Sequence, residues 1–201
     1  MARASPLPAL ERRAAIIAAA ERLIVAQGSE VTTRAIAEAV GIAEGTIFRV
    51  FPTKDAIIDA VFAEAFSREA GKAELAAVNR NAVLEVRLLE LVTILQRRIR
   101  RILSLCAAMG FGRMSSAPGS HSPVQRELNF AEITAILAPD QDQLRVPPLE
   151  AARLLLAMVM ALTYALLTDR TDAAPGEIVS LLLNGIAIHP VSPPPEEHSK
   201  C

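Results

Sequence analysis

Between Leu84 and Ile102, apolar residues recur every three or four positions: Leu84, Leu88, Leu91, Leu95, Ile99 and Ile102. At 3.6 residues per turn they form one stripe on a single long helix, whereas on a strand they would scatter over both faces. A helix with such a stripe is stable only when other elements cover it. The composition supplies more helices to do so. The 201 residues are 52% hydrophobic but only 3% aromatic, with Ala and Leu abundant and no Trp. Ala, Leu, Arg and Glu lose little freedom in a helix, while a sheet would call for aromatic and β-branched residues. No sustained apolar/polar alternation occurs, so the sequence predicts an all-α fold.

About nine helices are expected. The first runs from about Leu10 to Gln27, with Ile16, Ile17, Ala20, Leu23 and Ile24 at helical spacing, and Gly28 stops it. Thr32 or Thr33 can cap a short second helix that carries Ile36, Ala37 and Val40 and ends at Gly41. A third spans roughly Glu44 to Val50. Pro52 breaks the pattern, and Lys54 opens a fourth helix with Ile57, Ile58, Val61, Phe62, Ala65 and Phe66 inward. Past Gly71 the periodicity loosens until about Val83, where the long helix begins. The Gly/Ser/Pro cluster at 110–123 reads as a break. A helix from Pro123 to Leu137 follows, then a loop from Ala138 to Pro147. An apolar helix from Pro148 to about Thr168 and a last one from Pro175 to Gly185 complete the set. Residues 189–201 are Pro-rich and polar and read as a disordered tail.

Charge and cysteine usage narrow the function classes. The net charge is −1, yet residues 1–54 hold seven basic and five acidic residues (+2) while the remainder holds 14 and 17 (−3). A phosphate-binding surface needs local positive charge, not a basic protein. Cys106 and Cys201 suggest no disulfide framework, which fits a reducing, cytoplasmic setting. His121, His189 and His198 lack metal-ligand spacing, and no metal or cofactor is expected. Met1 to Leu10 lack the apolar core of a signal peptide. The run from Leu154 to Leu167, interrupted by Thr163 and Tyr164, is short for a bilayer. No Ser/His/Asp set, poised carboxylate pair or phosphate-cradling Gly loop is present, so an enzyme is not expected.

Residues 31–54 read VTTRAIAEAVGIAEGTIFRVFPTK. Two short helices joined by a Gly-containing turn can place the second in a DNA major groove while the first braces it across the backbone. The groove, about 12 Å wide, admits one helix, and small residues at its tip allow close approach to base edges. Helix-Gly-helix also occurs in ordinary bundles, so spacing alone leaves both readings open.

From ERRAAIIAAAERLIVAQG through TTRAIAEAVGIAEGTIFRVFPTKDAIIDAVF, about residues 11–62, the chain resembles the TetR family of bacterial regulators. PGEIVSLLLNGI is similar to the family's last helix, whereas residues 70–170 match only in helical character. The resemblance implies a helix-turn-helix head at 9–55, an effector-binding and dimerisation body at 56–188, and a homodimer closed by the last two helices. It implies that Thr33 and Lys54 meet phosphate, that Glu44, Gly45 and Thr46 face base edges, and that Arg49 reaches a phosphate or a guanine. Three residues depart from the family pattern. Ala43 stands where a capping Ser or Thr is usual, Phe48 where a phosphate-binding Tyr is usual, and Val50 where a His or Tyr is usual. Arg34 and Arg49 are the candidates to restore the missing phosphate contacts.

Several of these residues also have plainer roles. Phe48 and Phe51 read better as core plugs than as base-stacking groups. Glu44 suits a helix N-terminus electrostatically, and can equally accept from cytosine N4. The run Gln96 to Arg101 (QRRIRR) reads as a solvated or salt-bridged face rather than a second nucleic-acid patch. Cys106 reads as a small buried hydrophobe. A pocket in the body would draw on Leu88, Leu91, Leu95, Ile102, Met109, Phe111, Phe130, Ile133 and Met158. With few polar groups on those faces, its ligand would be apolar. The expected function is a DNA-binding regulator, a repressor that leaves a near-palindromic double-stranded operator when a small apolar effector binds. The alternatives are an activator of the same fold, or a helical interaction protein whose head has lost DNA binding.

Overall fold

A computed structural model describes residues 8–110, 130–163 and 173–186. Expectations for Phe111, His121, His189, His198, Cys201, the tail, the first part of the Pro123 helix and the end of the Pro148 helix lie outside these residues. Among the described residues every element is helical. The α-helices are α1 Ala9–Gln27, α2 Thr33–Val40, α3 Glu44–Phe48, α4 Lys54–Ala65, α5 Arg68–Leu75, α6 Leu84–Met109, α7 Phe130–Leu137, α8 Pro148–Thr163 and α9 Pro175–Ile186. Short 3-10 turns occupy Gly28–Glu30 and Ala138–Gln143. The all-α expectation holds.

The chain divides into two compact units. The first joins α1 through α5 to the part of α6 from Ile94 onward. Its core gathers Ile16 and Ile24 of α1, Ile36 of α2, Ile47 of α3, Ile57, Ile58 and Val61 of α4, and Leu105 and Cys106 of α6. Each buried Ile or Leu side chain contributes about 1.5–3 kcal/mol through removal from water, so the short α2 and α3 persist by packing. Five residues of α3 would not hold a helix alone.

Helix boundaries in this unit follow local chemistry. The hydroxyl of Thr32 accepts the Ala35 amide and that of Thr53 the Ala56 amide, each filling an orphan donor of a first turn. Of the two candidate threonines, Thr32 is therefore the cap and Thr33 the first helical residue. Gly41 ends α2 in the left-handed region (φ 75°), where a side chain is unfavourable. Gly28 is constrained twice: its φ is 61°, and a Cβ there would lie 2.8 Å from the Ala108 carbonyl of α6.

The QRRIRR segment is salt-bridged, one of its two expected fates, and partly buried. Gln96 is fully buried, the Arg98 guanidinium donates to the Ser67 carbonyl (2.6 Å), and Arg97 pairs with Glu74 (3.3 Å). Arg101 makes a two-pronged pair with Glu21 of α1 at 2.5 and 2.7 Å. The segment fastens α6 to α1 and to the α4–α5 corner of the same unit. Salt bridges were one of the two expected outcomes, but solvation was not the fate of Gln96.

The second unit comprises Val78–Thr93, α7, the second 3-10 turn, α8 and α9. Leu88, Leu91, Ile133, Ile136, Leu155, Val159, Ile178 and Leu182 are buried in it. Arg87, almost wholly buried, forms an ion pair with Asp140 of the 3-10 turn and donates to the Arg80 carbonyl (2.8 Å). Expected as a loop, Ala138–Gln143 is therefore a pinned helical turn. The α5 helix, Arg68–Leu75, stands where the sequence carries little apolar periodicity.

Candidate nucleic-acid interface

The candidate interface is the outer surface of α2, α3 and the start of α4. Two contacts fix α3: buried Ile47 plugs it into the first unit's core, and Phe51, 3% exposed, anchors the chain beyond it. The Arg13 guanidinium sits 4.5 Å from the centre of the Phe51 ring, covering that plug from outside. Between these anchors the opposite face of α3 points to solvent. The α3 helix is shorter than expected, ending at Phe48, with Arg49 as its C-terminal cap.

Glu44 and Gly45 are exposed and Thr46 is half-buried. Gly45 has no left-handed backbone, and beyond its chain neighbours and its own helix backbone no atom lies within 4 Å of where its Cβ would stand. Nothing inside the protein therefore calls for glycine, although in a helix it costs up to about 1 kcal/mol relative to Ala. Ala43 gives α3 no side-chain cap, as its sequence implied.

Thr33 and Glu44 come together. The Thr33 hydroxyl donates to Glu44 Oε1 at 2.5 Å, joining the first residues of α2 and α3. That proton is directed at a carboxylate rather than outward. Arg34 is exposed but engaged one turn along by Glu38 at 3.1 Å. Lys54, the first residue of α4, donates from Nζ to the Ser29 carbonyl at 2.8 Å. An ammonium carries three donors, so this bond steadies the side chain and leaves two N–H groups. Arg49 is exposed.

Phe48 is corrected by the structure: Phe51 is a core plug, but Phe48 is 49% exposed. It falls four residues after Glu44, on the same face of α3. The side chains of the two phenylalanines diverge because α3 ends between them.

The candidate pocket residues are shared between the two units. Ile102 and Met109 pack against the first unit's core, and Leu95 also belongs to that unit. Leu88, Leu91, Phe130, Ile133 and Met158 belong to the second, where Leu88, Leu91 and Ile133 are buried. Among the described residues no group of His, Cys, Asp and Glu could hold a metal ion, and no helix is long and apolar enough to cross a membrane.

The signal for the Thr33–Glu44 pair was present but not legible. Eleven positions separate the two residues, and only the turn at Gly41 brings them within reach.

Residues 16–61 match the family model of bacterial regulatory proteins, tetR family. Solved structures share the fold. A TetR-family transcriptional regulator from Mesorhizobium loti is 13% identical, with a TM-score of 0.65, covering 91% of this chain and 100% of that one. One from Agrobacterium tumefaciens is 19% identical, with a TM-score of 0.63, covering 90% and 100%. SmeT, the repressor of the Stenotrophomonas maltophilia multidrug efflux pump SmeDEF, is 19% identical, with a TM-score of 0.55, covering 91% and 94%. No curated protein matches the chain significantly. The likeness to the tetR-family model is thus confined to residues 16–61, and the chain shares its fold with these solved structures.

Proposed function

We propose that this protein is a cytoplasmic, DNA-binding transcriptional regulator. It acts as a homodimer, and as a repressor released from a near-palindromic operator by a small apolar ligand. The observation that carries the DNA-binding reading is Gly45: an exposed helical glycine with open space around it. Its missing side chain has no internal purpose, and it lets the α3 backbone approach an external surface closely. Lys54 and Arg49 would supply positive charge for the phosphates. Glu44, Thr46 and Phe48 would meet base edges and sugar, and no catalytic role is assigned to any group.

Two heads on a symmetric dimer would enter successive major grooves about 34–36 Å apart. Closure of the dimer by α8 and α9 is supported by Leu154 and Leu181, large apolar residues left 40% and 44% exposed on those helices. The aliphatic interior of the second unit, with Leu88, Leu91 and Ile133, supports an apolar effector. Repression is the direction suggested by the likeness to SmeT. Release requires a ligand that prefers the conformer whose heads no longer fit the duplex.

The test is selection of binding sites from random duplexes, followed by a salt titration of the selected site. The wild type should select an inverted repeat. Lys54→Ala should weaken binding to all duplexes and flatten the slope of log K against log salt by about one unit per head. Failure to select any duplex would overturn the reading, and an unchanged slope would remove Lys54 from it.

A further inference from the structure

We infer that Thr33 and Glu44 form a base-reading pair, in which Thr33 aims the Glu44 carboxylate at the amino group of a cytosine in each operator half-site. The inference rests on the DNA-binding reading above and deepens it.

A carboxylate at the tip of a DNA-reading helix needs a reason. Phosphate oxygens repel it, and it can only accept hydrogen bonds. The donors on base edges in the major groove are the amino groups of cytosine and adenine. Adenine sets its N7 acceptor beside that amino group, which repels the second carboxylate oxygen. Cytosine offers its amino group with no acceptor on its own edge. Guanine and thymine present acceptors and would be rejected at the same position.

The geometry prepares Glu44 for this task. It is exposed on α3, next to Gly45, whose open surroundings let the helix tip come close to a base. Its Oε1 is held by the Thr33 hydroxyl at 2.5 Å, which leaves Oε2 to accept from outside. Arg34, next to Thr33 in the chain, is engaged by Glu38. Thr33 is thus a positioning residue. Its hydroxyl proton serves Glu44, in contrast to the phosphate contact implied by family resemblance.

Selection from random duplexes by the full-length protein tests the pair, using the wild type, Glu44→Ala, Thr33→Val and Thr33→Ser. The wild type should enrich cytosine at one fixed position per half-site. Glu44→Ala should still bind while losing about ten- to hundred-fold discrimination there. Thr33→Val should blur the same position several-fold and no other, and Thr33→Ser, which keeps the hydroxyl, should restore it. A Glu44→Ala variant that still prefers the same base would overturn the inference and leave DNA binding standing. So would a Thr33→Val variant weakened equally on every duplex. A wild type that selects no duplex would overturn both.

Discussion

The Thr33 hydroxyl and the Glu44 carboxylate meet at 2.5 Å, so α2 and α3 are tied at their first residues. Beside this tie lies Gly45, with nothing within 4 Å of a Cβ position. Stability and binding should therefore separate at that residue. Gly45→Ala should raise stability by up to about 1 kcal/mol, because alanine is the better helix former and meets no neighbour. The same change should weaken operator binding by placing a methyl group at the approach surface. Thermal unfolding and fluorescence anisotropy would check both; a variant that binds as tightly as the wild type would remove the role given to Gly45.

Gly28 and Gly41 both have positive φ, but only Gly28 is crowded. A Cβ at Gly28 would lie 2.8 Å from the Ala108 carbonyl, whereas Gly41 has nothing within 4 Å. Gly41→Ala should cost about 1 kcal/mol from left-handed backbone strain. Gly28→Ala should cost about 2 kcal/mol or more, since its backbone (φ 61°, ψ −134°) is less tolerant of a side chain than the left-handed helical region and the backbone of α6 must also yield. Denaturant midpoints should rank the variants in that order, and equal losses would mean that neither the backbone of Gly28 nor its contact with α6 adds a cost.

Arg101 and Glu21, 31% and 18% exposed, form a partly screened pair. Arg101→Ala should lower stability by about 1–2 kcal/mol, between an exposed and a buried pair. The hydrogen bond to Glu21 raises the Arg101 pKa, outweighing the desolvation that opposes it. A raised pKa means that the stabilising share is fully present below the unfolded value and is lost only as pH rises through the folded one. Both lie far into alkali. The loss caused by Arg101→Ala should therefore be the same across about pH 7 to 9, and a loss that fades within that window would contradict this.

Phe48 stands half-exposed where the family pattern places a tyrosine. Phe48→Tyr adds a hydroxyl that can donate to phosphate, a charge-assisted bond that contributes about 1 kcal/mol or more. Operator affinity should rise about five-fold, on unrelated duplexes as well as on the selected one. An unchanged affinity would place the ring away from the backbone.

How much was legible depends on whether the deciding contact was local. Helices with a clear apolar face, such as α1, α4 and α6, could be read from spacing, and Gly28 and Gly41 marked real ends. The α5 helix, REAGKAEL, buries only Gly71 and Leu75, so it carried almost no apolar signal. Its one local mark was Ser67, whose hydroxyl accepts the Ala70 amide. Gln96 looked solvated because periodicity ranks residues by their own polarity, and its burial depends on packing within the first unit. Phe48 and Phe51 are alike in sequence, and only the end of α3 between them sends one outward and one inward. Among the candidate DNA contacts, Thr33 and Glu44 touch, and Glu44, Gly45, Phe48 and Arg49 are exposed on or beside α3. The described candidate pocket residues come from α6, α7 and α8 and are shared between the two compact units.

The central claim is that the α3 tip enters the major groove twice per dimer. Methylation interference at guanine N7, which lies in that groove, tests it most directly on a selected duplex. The account predicts two clusters of interference centred about ten base pairs apart, one helical turn. A single cluster, or interference confined to adenine N3 in the minor groove, would contradict it.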